Sequence, residues 1–205
     1  GLWPSCLFTG VGVRNCIVTG SREGQETLRT SSFRRFHSSF RPHLFQTNRY
    51  SQVESSDRGV PWPKLGHNNL ADLHSRLSAL RPALGASISR RGSARLYFKS
   101  TAADFISVFV DIPPAWTLEG TRIEQTKVNS IGFLDSDTRD LAFVICAGRL
   151  ALWWWVCHGD DFDVTKRLIS SIPVSPSALS TVREPLLQIA QRLRDELPSH
   201  PLVTK

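Results

Sequence analysis

The stretch that decides the fold runs from Arg139 to Val174, RDLAFVICAGRLALWWWVCHGDDFDVTKRLISSIPV. It opens with an apolar run that only Gly148 and Arg149 interrupt, and it holds three of the six tryptophans of the chain in succession. Tryptophan carries a very large apolar surface, and its N–H usually finds a hydrogen-bond partner when the ring is buried. The run therefore predicts the core of the main domain.

Length and composition indicate a globular protein. The chain has 205 residues, enough for one substantial domain or for one domain with part of another. Its hydrophobic content of 40% and charged content of 21% are ordinary for a folded domain. The sequence begins at Gly1 and contains no methionine, so we expect a fragment of a longer protein.

Positive charge is concentrated in the first half of the chain. Residues 1–100 hold 15 Lys and Arg against 5 Asp and Glu, a net +10, whereas residues 101–205 hold 10 against 13, a net −3. Most of the cations are arginine, whose planar guanidinium makes paired hydrogen bonds to phosphate and to guanine. This distribution favours a nucleic-acid-binding surface, and a solvated surface of Arg-rich composition is the alternative.

The four cysteines show no C-x-x-C spacing of a zinc or redox site. Cys146 and Cys157 lie inside the apolar run and are expected to be small buried residues. The N-terminus carries no signal-peptide pattern, so a reducing, cytoplasmic compartment is expected. The apolar run has only 17 residues with Arg149 at its middle, which predicts a core segment and no membrane span.

Hydrophobic spacing predicts both helices and strands between residues 70 and 174. Leucines from Leu70 to Leu84 recur every three or four residues, which predicts a helix capped by Asn69. Residues 86–99 predict a basic hairpin with its tip at 91–93, a shape that can enter a DNA groove. Further strands are expected at 104–111, around 128–134 and at 171–174.

The second half is expected to be mainly helical. Asp137 is positioned to cap a helix that begins the apolar run. The tryptophans can continue that helix or switch to a strand, and the local pattern leaves both open. A short helix is expected at 164–170, and a final helix should carry Pro185 in its first turn.

Two segments are similar to methyltransferase motifs without matching their context. Phe8–Gly12 reads F-x-G-x-G, as in loops that bind S-adenosylmethionine, but a strand pattern follows where a helix is required. Pro113-Pro114-Ala115-Trp116 departs from the catalytic (Asn/Asp/Ser)-Pro-Pro-aromatic loop, because Ile112 precedes it and Ala115 intervenes. Neither segment is predicted to be catalytic.

Other catalytic patterns are missing from the sequence. It has no G-x-S-x-G nucleophile elbow, no phosphate-binding P-loop and no Asp/Glu-x-Lys nuclease element. His158 beside Asp160 and Asp161 is open to a catalytic or metal-binding role, and a turn-capping cluster is the favoured interpretation.

A set of segments carries a family resemblance: Phe8–Val18, Arg34–Phe36, Arg41–Phe45, Gly148–Trp155, Gly159–Asp160 and Val164–Pro173. In this order they resemble the C-terminal part of N6-adenine DNA methyltransferases of restriction–modification systems, including those that fuse methylase and endonuclease. In that family a late strand of the catalytic domain leads into a target-recognition domain. The sequence departs from the family at Ala147–Ala151, where Leu-Asn-Ser is common.

The resemblance implies a division at residue 24. Residues 1–24 would be the end of a truncated α/β methyltransferase domain and contribute its terminal strand. Residues 25–205 would be an α+β target-recognition domain with a mixed sheet and flanking helices. The complete enzyme would bind double-stranded DNA, flip an adenine and methylate it from S-adenosylmethionine held by an upstream catalytic domain of the same parent chain. This chain itself would hold no catalytic residue, cofactor or metal.

Basic residues outside the predicted core are the expected DNA contacts, namely Arg34, Arg35, Arg41, Arg90, Arg91, Arg95, Lys99, Lys166 and Arg167. One alternative is a basic protein-binding or scaffold domain with no DNA role. Another is a stand-alone methyltransferase that uses Phe8–Gly12 as its cofactor loop, which requires a helix directly after Gly12.

Overall fold

The computed structural model describes residues 17–19, 27–34, 36–53, 62–102, 104–160, 162–197 and 202–203. The chain divides into two compact units, residues 1–75 and 76–205. Residues 17–19 have no regular secondary structure. The F-x-G-x-G loop, the rest of the predicted N-terminal strand and the expected division at residue 24 lie outside the described residues.

The first unit contains a two-stranded antiparallel sheet. Strand β1 (Leu28–Ser31) pairs with β2 (Tyr50–Val53), so that Leu28 lies opposite Val53. A 3-10 helix at Ser38–His43 lies between them in sequence. The Thr30 hydroxyl donates to the carbonyl of Pro63 at 2.7 Å and anchors the segment that follows the sheet.

Helix α1 (Asn68–Ser78) is shorter than its leucine pattern predicts. The expected cap at Asn69 is wrong, since the helix already includes Asn68. The helix ends before Leu80, which is 50% exposed, while Leu84 is fully buried in a separate 3-10 helix at Leu84–Ser87. Pro82 explains the break, because it lacks an N–H and disfavours helical conformation in the residue before it.

The second unit is built on a three-stranded antiparallel sheet in the order β4-β3-β7. Its strands are β3 (Ala94–Lys99), β4 (Val108–Phe109) and β7 (Val128–Phe133). The predicted hairpin at 86–99 is wrong, because β3 pairs with β4 and β7 and not with the segment before it. Before β3, Leu84 is buried in the core, and its N–H donates to the Ile172 carbonyl at 2.9 Å.

A second small sheet has the order β6-β5-β8. Strand β5 (Ala115–Trp116) pairs antiparallel with β6 (Arg122–Ile123) and parallel with β8 (Leu202–Val203). Helices and mostly antiparallel strands therefore share one chain, and the predicted α+β class is confirmed.

Four helices accompany these sheets: α2 (Ser136–Ala147), α3 (Arg149–His158), α4 (Lys166–Ser171) and α5 (Arg183–Glu196). A 3-10 helix at Pro176–Val182 precedes α5. Helix α2 packs against all three strands of the larger sheet and against α5. The expected strand at 171–174 is absent, since Ser171 still belongs to α4 and the residues after it have no strand pairing. Pro185 lies in the first turn of α5, as predicted.

The N-terminal cap of α2 is Asp135 and not Asp137. The Asp135 carboxylate accepts hydrogen bonds from the backbone N–H and the hydroxyl of Thr138, each at 2.8 Å. A side-chain acceptor three residues before the N–H group is the usual geometry of a cap. These bonds to the ionised form hold the pKa of Asp135 below its ordinary value.

The tryptophan run forms α3 and supplies the predicted core. Trp155 is 1% exposed, and Trp154 is buried beside it. Trp154 Nε1 donates to the Ser171 hydroxyl at 2.9 Å, and Trp155 Nε1 donates to the Asp163 carbonyl at 2.9 Å. The two indoles thereby tie α3 to α4 and to the acidic turn between them.

Gly148 separates α2 from α3. In the described part of the chain no single helix is long and apolar enough to cross a membrane. Helices α2 and α3 meet that test by length and composition only as a pair, with a bend of 64° between them. Their inward residues, among them Leu141, Phe143 and Ala151, belong to the buried interior.

Candidate nucleic-acid interface

A tight turn before β3 places Arg90 and Arg91 at its two central positions. The N–H of Gly92 donates to the Ser89 carbonyl at 3.3 Å and closes the turn. The N–H of Ser89 donates to the Gly132 carbonyl at 2.8 Å and fastens the turn to β7. Both arginine side chains are exposed, so the turn presents two cations on a fixed backbone.

Gly92 makes this close approach possible. It is buried, and a Cβ atom at its position would overlap the backbone of Phe133. The backbone of a buried residue cannot yield as the end of a flexible side chain can. The absence of a side chain at Gly92 is therefore what lets the arginine turn lie directly on β7.

Arg95 brings a third guanidinium to the same end of the sheet. It lies opposite Gly132 in the β3–β7 pairing, and it is exposed on the sheet face away from Leu96 and the core. Its Nη1 atom is 3.2 Å from the position that a Cβ atom on Gly132 would occupy, and the Ser89 carbonyl oxygen is 2.7 Å from that position. Arg90, Arg91 and Arg95 thus form one group, here called the arginine cluster.

Lys99 lies at the opposite end of β3, about 13 Å from Arg95 along an extended strand. Its ammonium group donates to Gln125 Oε1 at 2.8 Å and to the Thr126 carbonyl at 3.3 Å. These bonds hold the segment that leads into β7. Lys99 therefore has a structural role in addition to the predicted DNA contact.

Lys166 and Arg167 are exposed in the first turn of α4. The N–H of Val164 donates to the Ser100 carbonyl at 2.8 Å, which places the start of α4 beside the end of β3. The Thr165 hydroxyl caps the helix by accepting from the N–H of Leu168 at 3.2 Å. The tertiary structure thereby brings these two cations to the same end of β3 as Lys99.

Sequence reasoning missed Lys127. This exposed residue adopts a left-handed backbone conformation with φ of 55°, and its carbonyl accepts from the N–H of Ser100 at 2.8 Å. Lys127 therefore joins Lys99, Lys166 and Arg167 in a second group, here called the lysine end. Its place beside Thr126 in an unremarkable loop sequence provided no local signal for this role.

The basic residues of the first unit have a different environment. Arg34 Nη1 donates to the Leu44 carbonyl, the Thr47 hydroxyl and the Asn48 side chain at 3.3, 3.0 and 2.9 Å. Its guanidinium also lies 5.5 Å from the centre of the Phe40 ring. Arg34 thus stabilises its own turn, and its DNA contact stays a prediction.

Arg35 and Arg41 are the other two predicted DNA contacts of this unit. Arg41 is half-buried within the 3-10 helix, and Arg35 lies outside the described residues.

A shallow, open depression of about 390 Å³ is also found in this unit, lined by Arg49, Tyr50, Gly66, His67 and Asn68. Its lining is mostly exposed, unlike an enclosed catalytic cleft.

The acidic turn after α3 has a capping role, as favoured from the sequence. Asp160 Oδ1 accepts from the N–H groups of Phe162 and Asp163 at 2.9 and 2.6 Å. The His158 ring packs on Trp154 with 4.3 Å between centroids. Within the described residues, no three His, Cys, Asp or Glu side chains are arranged to hold a metal ion.

The second unit therefore carries cations at both ends of one strand. Guanidinium groups on an exposed turn suit hydrogen bonding to phosphates and to guanine edges, and the ammonium groups suit phosphates. No family model, no curated protein and no solved structure matches this chain.

Proposed function

We propose that this chain recognises double-stranded DNA in a sequence-specific manner, as the target-recognition part of an adenine-N6 DNA methyltransferase of a restriction–modification system. The arginine cluster reads and anchors the duplex. The lysine end adds phosphate contacts at the other end of β3. The observation that carries the proposal is that Arg90, Arg91 and Arg95 lie together at one end of the larger sheet.

The electrostatics of the arginine cluster support this assignment. None of its three guanidinium groups forms an ion pair with any residue that the structure describes. Three neighbouring cations without carboxylate partners repel one another, and a polyanion relieves that repulsion. The carboxylate of Asp137, in the first turn of α2, is paired with Arg183 at 2.8 Å.

The geometry of the turn also suits a groove. Arg90 and Arg91 project from a compact backbone turn, and Arg95 follows on the exposed face of the adjoining strand. Guanidinium groups on an exposed turn can reach base edges in a groove of B-form DNA and the phosphates that border it. The lysine end lies about 13 Å away and can reach phosphates bordering the groove.

The enzymatic part of the proposal rests on the resemblance of the Gly148–Pro173 region to adenine methyltransferases. In that assignment the methyl group comes from S-adenosylmethionine bound by a catalytic domain of the same parent enzyme. The residues of this chain select the site, while the catalytic domain methylates a flipped adenine. Fusion to an endonuclease domain is compatible with the same division of labour.

Selection from a random 20-base-pair duplex library, followed by fluorescence anisotropy, tests the proposal. We expect enrichment of one sequence and a log–log salt slope of about −0.9 per neutralised phosphate. Changing Arg90 and Arg91 together to Gln should weaken binding by about tenfold or more, with a shallower slope. Arg149→Gln, an exposed arginine on α3, is the matched control and should leave binding unchanged.

Two results would contradict the proposal in different ways. Equal binding of all duplex sequences removes sequence recognition and leaves a general polyanion-binding domain. Absence of duplex binding at low salt, with Arg90→Gln and Arg91→Gln indistinguishable from the unaltered chain, removes DNA binding altogether. The second result favours the protein-binding scaffold hypothesis.

A further inference from the structure

Leu134 is an apolar side chain in an unusual position. It is 75% exposed, and no large hydrophobic residue in the described ranges is more exposed. A single exposed leucine is ordinary on a protein surface. Leu134, however, directly follows Gly132 and Phe133, over which the arginine cluster and its turn lie.

The backbone on both sides of Leu134 is firmly held. Phe133 before it is fully buried and ends β7, with the Gly92 turn packed on its backbone. Asp135 after it caps α2 through two hydrogen bonds to Thr138. Leu134 therefore projects from a rigid junction between a strand and a helix, where its apolar tip is exposed without freedom of the main chain.

The surroundings indicate what such a tip can contact. The cations of the arginine cluster would hold a duplex against this edge by its phosphates. An aliphatic side chain presented beside phosphate-binding cations can enter between base pairs and replace part of the stacking that it disrupts. The backbone that carries the wedge must be rigid, because the binding energy of the cations has to drive the separation of the base pairs.

We propose that Leu134 is a wedge that inserts into one base step of the bound duplex. This inference rests on the proposed function. The arginine cluster supplies the anchoring, and Leu134 supplies the local unstacking. The step that it opens is a determinant of specificity, because the cost of unstacking depends on the bases at that step. Leu134 touches the base pairs and takes no part in methyl transfer.

The experiment uses the complete chain and the duplex enriched in the selection. Each adenine of that duplex is replaced in turn by 2-aminopurine, whose fluorescence rises when it leaves the base stack. The unaltered chain should raise the fluorescence several-fold at one position or two adjacent positions. Leu134→Ala should abolish most of this rise and weaken binding about tenfold, with the salt slope unchanged because every cation remains.

Matched variants make the readout specific. Leu134→Met should retain most of the rise, since it keeps an apolar tip of similar length, whereas Leu134→Gln should lose it. Leu118→Ala, at a leucine that is 68% exposed in the β5–β6 connection, should behave as the unaltered chain. Because Leu134 buries little surface, circular dichroism melts of all these variants should coincide.

A rise that persists in both Leu134→Ala and Leu134→Gln overturns the wedge. So does tight, selective binding by the unaltered chain without a rise at any adenine. In both cases DNA recognition stands. The binding measurement distinguishes failure of the wedge from failure of the proposed function. If only the wedge is wrong, the unaltered chain still associates with the duplex in a salt-dependent way. If the proposed function is wrong, that association is absent.

Discussion

The side chain of Arg95 crosses the face of Gly132 on the neighbouring strand, with Nη1 3.2 Å from the position of a Cβ atom on that glycine. The carbonyl oxygens of Ser89 and Gly92 approach the same position, at 2.7 and 2.8 Å. One glycine thus provides the space in which a turn, a strand and a guanidinium meet. The arrangement of the arginine cluster depends on it.

Gly132→Ala should therefore displace the turn. The new methyl group meets two backbone oxygens that cannot rotate away, so we expect a loss of about 1–3 kcal/mol in the free energy of unfolding. Duplex affinity should fall as well, because Arg90 and Arg91 move with the turn. Urea denaturation and anisotropy measure the two effects. Ser130→Ala on the same strand is the control, and equal behaviour of the two variants would contradict the packing argument.

The indole of Trp155 is both buried and hydrogen-bonded. Trp155→Phe removes the bond from Nε1 to the Asp163 carbonyl and replaces the buried indole by a smaller ring. We expect a loss of about 2–3 kcal/mol, and about 3–5 kcal/mol for Trp155→Ala. The half-buried Trp153, changed to Phe, should cost less than about 1 kcal/mol. Chemical denaturation followed by circular dichroism compares the three, and a reversed order would refute the assignment of Trp155 to the core.

Asp140 joins α2 to α5 through a shared ion-pair arrangement. Its carboxylate is 2.7 Å from Arg139 and 3.3 Å from Arg194, with only 13% of the side chain exposed. Asp140→Ala leaves two guanidinium groups without this partner, and we expect a loss of about 2–3 kcal/mol after allowing for the partial exposure of Arg194. Thermal melts at low and high salt provide the measurement.

The matched control for Asp140 is Asp137, whose pair with Arg183 is about half exposed. Asp137→Ala should cost less than about 1 kcal/mol, because water screens the exposed pair. Equal losses at Asp137 and Asp140 would show that burial does not set the strength of these pairs.

Cys146 is buried, and desolvation raises the pKa of its thiol from 9.0 to about 12. The thiolate is the reactive form, so at pH 8 its population in the folded state is about a thousandfold below that of an unshifted thiol. Iodoacetamide should label Cys146 in urea and leave it unlabelled in the native protein. Mass spectrometry of the peptide that contains Cys146 checks this, and rapid native labelling would contradict its burial.

The same shift predicts a pH dependence of stability. Because the pKa of Cys146 is higher in the folded than in the unfolded state, its contribution is complete below pH 9. It is lost as pH rises from 9 toward 12, where the unfolded thiol ionises and the folded one does not. Cys146→Ala should remove this part of the alkaline decline in the free energy of unfolding. An identical decline in both proteins would assign it to other groups.

Local patterns predicted several elements correctly because those elements satisfy local preferences. Alternating and β-branched residues marked β7 near its observed bounds, and Pro185 marked the first turn of α5. The leucine pattern from Leu70 misled, since it continues across a proline that ends the helix. The local pattern does not distinguish Asp137 from Asp135 as the cap, because both are acidic residues before one apolar run.

The candidate interface was predictable only in part. The cations of the arginine cluster are neighbours in sequence, so their grouping could be anticipated, although the hairpin proposed to carry them was wrong. Lys99 and Lys166 are 67 positions apart, and backbone hydrogen bonds between residues 100–102 and 162–164 place them at one end of β3. The exposure of Leu134 has no local signal, because a leucine at the end of a strand pattern is typical of a core residue.

By itself, the sequence determined the α+β class, the tryptophan core and the capping role of the acidic turn, since apolar periodicity and short-range hydrogen bonds express these directly. The tertiary structure alone decided that β3 pairs with β4 and β7, that Arg95 lies over Gly132, and that Leu134 faces solvent. Strand partners and side-chain exposure depend on packing between segments distant along the chain, which no local pattern encodes.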